Sequence, residues 1–327
     1  MARNWDFEPA QFLSFRDQKV CNRVRKIKRA DLCKHPNKNF KIRIIEDESN
    51  FFFQFATHLV AGIKQAAEEG RQHVIILPAP WPHYRWVAHL INTMGIDCRH
   101  VHTFNMDEWA DQDGRSAPKD WPGGFQYWMW NDLFNNIDPK LRMPEKQIHF
   151  PGRKNVNDYS NMIEDLGGAD VCYGGIGWCG HIAFFESHLG KEFGKDIDAY
   201  LKAGARLVEL HPITILQSCV YSDNAGAGDW AYVPPKAYTI GPRDLKQSKL
   251  VSFWNCGYAG GGFAWQKFIT RLAAHGPVTP LVPSSILQIL RSDLNVLGKV
   301  ADDFDYDTPA RLDPMPWKGA HPWPPKG

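Results

Sequence analysis

Apolar residues fall into two kinds of segment along this chain: short unbroken runs, and longer stretches at helical spacing. Lys41-Ile-Arg-Ile-Ile reads as a first strand. Ser49 then reads as a helix N-cap, and Phe52, Phe55, Ala56, Leu59, Val60, Ile63 and Ala67 recur at helical spacing up to Gly70. His73-Val-Ile-Ile-Leu is apolar without alternation, the pattern of a strand buried on both faces of a parallel sheet. Pro78-Ala-Pro-Trp-Pro breaks it, a helix follows from about His83 to Met94, and Arg99 to Phe104 reads as a third strand. Phe125 to Phe134 is an aromatic-rich helix, Gln147 to Phe150 a fourth strand, and Val156 to Leu166 a helix leading to the run Ala169 to Tyr173. Beyond a variable polar stretch come strands at Tyr238-Thr-Ile-Gly and Leu250 to Asn255, then helices at Ala264 to His275 and Ser284 to Leu290. Strand–helix alternation at this spacing predicts an α/β fold: a doubly wound, mostly parallel sheet with helices on both faces.

Residues 1–40 are polar and carry a basic patch from Lys19 to Arg29, read as a solvated helix face or an arm that packs on a neighbour. No linker interrupts 41–300, which is taken as one catalytic domain. Residues 301–327, rich in Pro and Trp, form an extended tail.

Composition changes this picture in three places. A net charge of +2 over 327 residues gives no reason to expect nucleic acid as a partner. The 13 Trp, 19 Phe and 10 Tyr point either to large aromatic cores or to platforms for stacking sugar rings. Seven scattered cysteines, with no Cys/His cluster at zinc spacing, fit reduced thiols in the cytoplasm and imply neither a disulfide framework nor a metal. No secretory leader opens the sequence, and no apolar run reaches the roughly eighteen residues that a membrane span needs. No motif calls for an organic cofactor.

The chemistry concentrates in Tyr173-Gly-Gly-Ile-Gly-Trp-Cys-Gly-His-Ile-Ala-Phe-Phe-Glu-Ser, directly after a strand. Its glycines allow a ligand to approach bare backbone. Cys179, His181 and Glu186 supply a thiol, an imidazole and a carboxylate, and a His with a carboxylate nearby suits proton transfer on a small molecule. The plainer reading is a glycine-rich turn around a core histidine. In doubly wound sheets, ligands sit beyond the carboxyl ends of the strands where strand order reverses. Pro78–Pro82, Asn105–Trp109 and Gly174–Glu186 are expected to converge there.

Phe104-Asn-Met-Asp-Glu-Trp, followed by Gly174-Gly-Ile-Gly-Trp-Cys-Gly-His-Ile-Ala-Phe-Phe-Glu, resembles the glucosamine-6-phosphate deaminase (isomerase) family, itself related to the 6-phosphogluconolactonases. The resemblance runs from about residue 41 to 295. It implies a Rossmann-like fold, a sugar substrate, a homo-oligomer, and ring opening followed by proton transfer between C1 and C2 with loss of the amine. By motif, Asp107 matches the carboxylate that takes the C2 proton, His181 the ring-opening imidazole and Glu186 its orienting carboxylate. Helix capping is the structural alternative for Asp107. Backbone N–H groups of the glycine loop would hold an oxyanion. Ala79, Trp81, Glu108, Gly175, Gly177, Trp178 and Lys267 are the expected substrate contacts.

The departures are specific. Cys179 stands where the family has Asp; it is read either as a nucleophile or as a small buried residue. Trp178 and Phe185 replace small polar residues. The phosphate turn is Ala79-Pro80-Trp81-Pro82, where proline removes N–H donors. No Arg lies between Leu216 and Val220, and Cys256-Gly-Tyr-Ala-Gly-Gly-Gly occupies the place of a phosphate-binding Lys, with Lys267 further on. His83 and Arg85 are candidate replacement anion ligands. These changes imply a sugar or amino sugar without the usual phosphate. Hydrolysis of a sugar lactone with His181 as base, and a non-catalytic sugar sensor, are the alternatives.

Overall fold

In the computed structural model, which describes residues 7–79, 81, 83–221, 227–257 and 264–304, the unbroken apolar runs become inner strands of a seven-stranded sheet. In chain order the strands are β1 (Phe40–Ile45), β2 (His73–Leu77), β3 (Val101–Asn105), β4 (Asp107–Ala110), β5 (Ile148–His149), β6 (Val171–Gly174), β7 (Arg206–Glu209), β8 (Lys236–Thr239), β9 (Val251–Asn255) and β10 (Ser292–Leu297). The large sheet runs β1-β10-β9-β6-β2-β3-β5, and every neighbouring pair is parallel. β2, β9 and β10 are buried along their length, whereas β1, at one edge, alternates between buried and exposed positions. From β2 the chain winds outward through β3 to β5, returns to β6, and then winds the other way through β9 and β10. Strand order therefore reverses between β2 and β6, and their carboxyl ends frame a crevice.

The remaining strands form a small antiparallel sheet, β4-β8-β7, which the sequence pattern did not separate from the main one. Tyr238-Thr belongs to its central strand, and Asp107–Ala110, expected within a loop, is its edge. β10 was not anticipated, because Ser292, Asp293 and Asn295 make it read as polar. All three are buried and paired: Ser292 Oγ donates to the Leu287 carbonyl (2.6 Å), Arg43 meets Asp293 (2.6 Å), and Asn295 Nδ2 donates to the Phe253 carbonyl (3.3 Å).

Helices α1 (Gln18–Arg25), α2 (Arg29–Leu32), α3 (Glu48–Glu68), α4 (Tyr84–Met94), α5 (Phe125–Asp132), α6 (Val156–Asp165), α7 (Ile197–Tyr200), α8 (Pro212–Tyr221), α9 (Pro242–Lys246), α10 (Lys267–His275) and α11 (Gly298–Ala301) surround the sheet. Asp47, not Ser49, caps α3, its carboxylate accepting from Asn50 N (2.7 Å). The segment expected to be helical after Ser284 is 3-10 helix, Pro283–Ile289. α8 falls in the stretch read as variable and polar. None of the helices is long and apolar enough to cross a membrane.

The N-terminal basic patch is used for docking. α1 lies against α10, Val24 and Leu32 are fully buried, Arg23 donates to the His275 carbonyl (2.7 Å), and Arg29 pairs with Asp302 (2.6 Å). The Pro/Trp-rich tail lies outside the described residues from 305 onward. Part of the aromatic content forms a cluster under the crevice: Phe55 meets the rings of Trp81 (4.5 Å between centroids), Tyr173 (5.6 Å) and Trp254 (5.6 Å). That packing places Trp81 and Trp254 against the crevice.

Candidate active site

A cleft with about 130 Å³ of free volume opens where strand order reverses. Ala79 and Trp81 reach it from the end of β2, Asp107 from the start of β4, and Gly175 and Gly177 from the loop after β6. His181, Trp254, Trp265 and Gln217 complete the walls. Asp107 is a buried strand residue paired in register with Thr239, so helix capping does not account for it.

His181 owes its position to a tight reversal of the chain. Phe185 N donates to the Ile182 carbonyl (2.8 Å), and Ala183 between them takes φ 50°, a left-handed value uncommon for a residue with a side chain. The turn folds Glu186 back against the imidazole: Nδ1 of His181 lies 3.2 Å from Oε2 of Glu186 and 3.0 Å from the Thr214 hydroxyl. Thr214 in turn donates to the same Glu186 oxygen (3.0 Å), and His211 N donates to the other (3.1 Å). Cys179 joins this group, its Sγ 3.1 Å from Glu186 Oε2 and 3.4 Å from His181 Nδ1. Burial disfavours a charged imidazole, but the adjacent Cys179 and Glu186 outweigh it and raise the His181 pKa. Burial likewise opposes charge on Glu186, and His181 overcomes it, holding the carboxylate below its usual range. The arrangement can present a proton on Nε2 of His181 to a bound molecule while Asp107 faces the same space.

The glycine loop is clamped, which corrects one expectation. Ile176 N donates to Asn255 Oδ1 (3.1 Å), Gly177 N to the His181 carbonyl (3.0 Å), and Trp178 N to Gln217 Oε1 (2.7 Å). Three amides expected to stabilise an oxyanion are thus committed within the protein. Gln266 ties the loop to the segment after β9, donating to the Ile176 carbonyl (2.6 Å) and accepting from Gly257 N (2.6 Å).

Other candidates are placed elsewhere. Glu108 does not line the cleft; its carboxylate accepts from Trp109 N (2.8 Å), Phe125 N (3.0 Å) and Gln126 N (2.7 Å), anchoring the start of α5. Burial pushes this carboxyl up to about 7 against the pull of those N–H groups. Lys267 is also absent from the lining, and its ammonium reaches the Asp303 carbonyl (3.4 Å). Trp178 sits beside Trp265 (5.8 Å between rings) without lining the cleft itself. His83 stacks on Phe52 (3.4 Å, 5°) and burial lowers its pKa to about 4, while Arg85 donates to Asp132 (2.7 Å). Neither lines the cleft. Among the described residues lining the cleft there is no Lys or Arg. Cys256 does line it, and the glycine-rich stretch after Gly257 lies outside the described residues.

Sequence reasoning missed Thr214 and Gln217, which α8 brings to the back of the site. The available signal was Pro212, a proline at the first position of a helix. Asn255 and Gln266 carry no such signal.

No family model matches the chain. Glucosamine-6-phosphate deaminase of Clostridium botulinum (strain Kyoto / Type A2) is 26% identical over 224 residues, 67% of this chain and 80% of the relative. Glucosamine-6-phosphate deaminase of Caenorhabditis elegans is 28% identical over 218 residues, 64% of this chain and 73% of the relative. A monomeric glucosamine-6-phosphate deaminase of solved structure superposes with a TM-score of 0.64 at 20% identity, covering 80% of this chain and 98% of that one. For 6-phosphogluconolactonase from Thermotoga maritima the TM-score is 0.53 at 16% identity, with 79% and 99% covered. By these likenesses the chain is similar in sequence to glucosamine-6-phosphate deaminases, and its doubly wound fold is shared with a glucosamine-6-phosphate deaminase and a 6-phosphogluconolactonase of solved structure.

Proposed function

We propose that this protein opens the ring of a sugar or amino sugar and moves a proton between C2 and C1, as an isomerase or deaminase. The observation that carries the reading is the convergence of Asp107 and His181 on one cleft, with Glu186 behind His181 at 3.2 Å. His181 returns a proton to the ring oxygen as the C1–O bond opens. Asp107 takes the C2 proton, giving an enediol from a sugar or an enolamine from an amino sugar. Proton return at C1 leaves the ketone in the first case and a C2 iminium in the second, which adds water and expels ammonia to give the ketone. Trp81, Trp254 and Trp265 offer flat faces for the sugar. The absence of Lys and Arg among the described lining residues supports a substrate that lacks the 6-phosphate, in contrast to the one named for the deaminase relatives.

The test is NMR in deuterated water with paired free and 6-phosphorylated glucosamine, N-acetylglucosamine, fructose and glucose. Exchange of the C2 proton of a free sugar, lost in Asp107→Asn, is the expected result. Exchange confined to 6-phosphates would overturn the substrate part of the reading. Lactone hydrolysis, favoured by the likeness to 6-phosphogluconolactonase, predicts turnover of gluconolactone that tolerates Asp107→Asn and fails in His181→Ala. Binding without exchange or hydrolysis would leave a sugar sensor. Self-association is a separate proposal, resting on the exposed Phe53–Trp86 pair (6.2 Å); a monomer mass in light scattering would end it.

A further inference from the structure

The atoms behind His181 are closer together than an orienting role requires. Cys179 Sγ, His181 Nδ1, Glu186 Oε2 and Thr214 Oγ1 are separated by 3.4, 3.1, 3.7, 3.2, 3.0 and 3.0 Å over their six pairs. Read as hydrogen bonds, these contacts aim three donors at one carboxylate oxygen, which has two lone pairs. Read as a shape, they are the six edges of a nearly regular tetrahedron. The centre of such a figure lies about 2.0 Å from each corner, the distance at which zinc takes nitrogen and oxygen ligands and a few tenths short of its distance to sulfur.

The charges agree with the shape. A thiolate and a carboxylate side by side in a buried site are costly, and a divalent cation between them cancels both while a neutral imidazole adds none. Cys179, His181 and Glu186 each offer one ligand atom, all within 4.8 Å of one another.

We propose that Cys179, His181 and Glu186 bind a zinc-class divalent cation, with the Thr214 hydroxyl at the fourth corner. The thiolate selects a thiophilic metal over magnesium or calcium. Because Thr214 is fully buried, the fourth position is closed to solvent, and the cation has a positioning role. Ligation through Nδ1 leaves the proton of His181 on Nε2, the nitrogen on the Gly177 side of the ring. The inference goes beyond the sugar chemistry and does not depend on which sugar is bound. It also gives Cys179 a chemical role in a place where the family resemblance expects Asp.

The test uses the full chain, freed of any affinity tag and stripped of metal, titrated with zinc against a chromophoric chelator and separately with cobalt(II). One equivalent of zinc should bind. The cobalt form should show a thiolate-to-cobalt charge-transfer band with the strong visible absorption of a tetrahedral site. Cys179→Ser should abolish that band and weaken zinc binding by at least about tenfold, while Cys33→Ser, at an exposed thiol, should change neither. If Cys179→Ser does not fold, Glu186→Gln serves instead: zinc must weaken while the thiolate band stays. Absence of stoichiometric metal, or a cobalt spectrum indifferent to Cys179→Ser, overturns the proposal. Both readings are independent of turnover, so a protein inactive on every sugar leaves them decisive.

Discussion

A methyl group at Gly177 would fall 1.8 Å from Nε2 of His181, so the missing side chain of one residue is the space that the other occupies. Gly177→Ala must therefore push the imidazole out of place. Displacements of about 1 Å at a reacting centre can cost on the order of 100-fold in rate. The expected outcome is a loss of that size in C2–H exchange, with the thermal midpoint lowered modestly by overpacking of about 1–3 kcal/mol. Unchanged exchange in Gly177→Ala would show that His181 is not needed where it stands.

Thr214, which no motif marked, is predicted to position His181 and Glu186. Thr214→Val keeps the shape and removes the hydroxyl that meets both, at 3.0 Å each. A loss of about 1–2 kcal/mol in denaturant unfolding is expected, with exchange falling roughly tenfold as the pair loosens. Thr214→Ser should restore the rate more fully than the stability. A Val variant with native turnover would remove Thr214 from the positioning group.

Arg271 ties the two ends of the described chain together. Fully buried, it donates to the carbonyls of Ile27 (2.9 Å), Lys267 (3.2 Å), Ala301 (2.8 Å) and Asp302 (3.2 Å). Arg271→Met leaves several buried carbonyls unsatisfied and should cost at least about 3 kcal/mol in a urea titration. Arg271→Lys cannot reproduce the fork and should recover little of it. A native midpoint in either variant would mean that residues 7–39 add nothing to the stability of the body.

Acid should weaken the fold partly through His73. Burial lowers its pKa from 6.5 to about 4, despite the opposing pull of Asp170 and with some help from Arg71. Between those values the unfolded chain binds a proton that the folded one refuses, so stability falls as pH drops from about 6.5 to 4 and the full loss is near 3 kcal/mol. Glu108 and Asp244, pushed up to about 7 and about 6 by burial, act in the opposite sense over part of this window. The difference between wild type and His73→Gln isolates the histidine. Its midpoint curve should be flatter on the acid side, and parallel curves would refute the assignment.

How much was legible depended on where the physical cause of each feature lay. β2 was read to the residue because the run His73–Leu77 is buried on both faces and says so in its own composition. β10 was missed because Asp293 and Asn295 find partners on β1 and β9, far away in sequence, while Ser292 is satisfied by the preceding 3-10 turn. Asp107, His181 and Glu186 were legible because the two motifs that carry them follow β3 and β6 at the carboxyl edge of the sheet. Glu108 shows the limit of motif transfer: it adjoins Asp107 in the chain, yet strand alternation turns its carboxylate to the start of α5, away from the cleft.

The sequence by itself determined the alternation of strands and helices, the three loops that meet at the reversal of strand order, and the carboxylate and imidazole that face the cleft there. These follow from local periodicity and from glycine and proline, whose effects are felt within a few residues. Only the tertiary structure decided that the loop amides are spent on Asn255 and Gln217, that His83 and Arg85 are engaged elsewhere, and that Thr214 arrives on α8 to close a four-cornered cluster with Cys179, His181 and Glu186. Those outcomes depend on distances between segments that the chain joins only through the packed core, and no local pattern encodes such a distance.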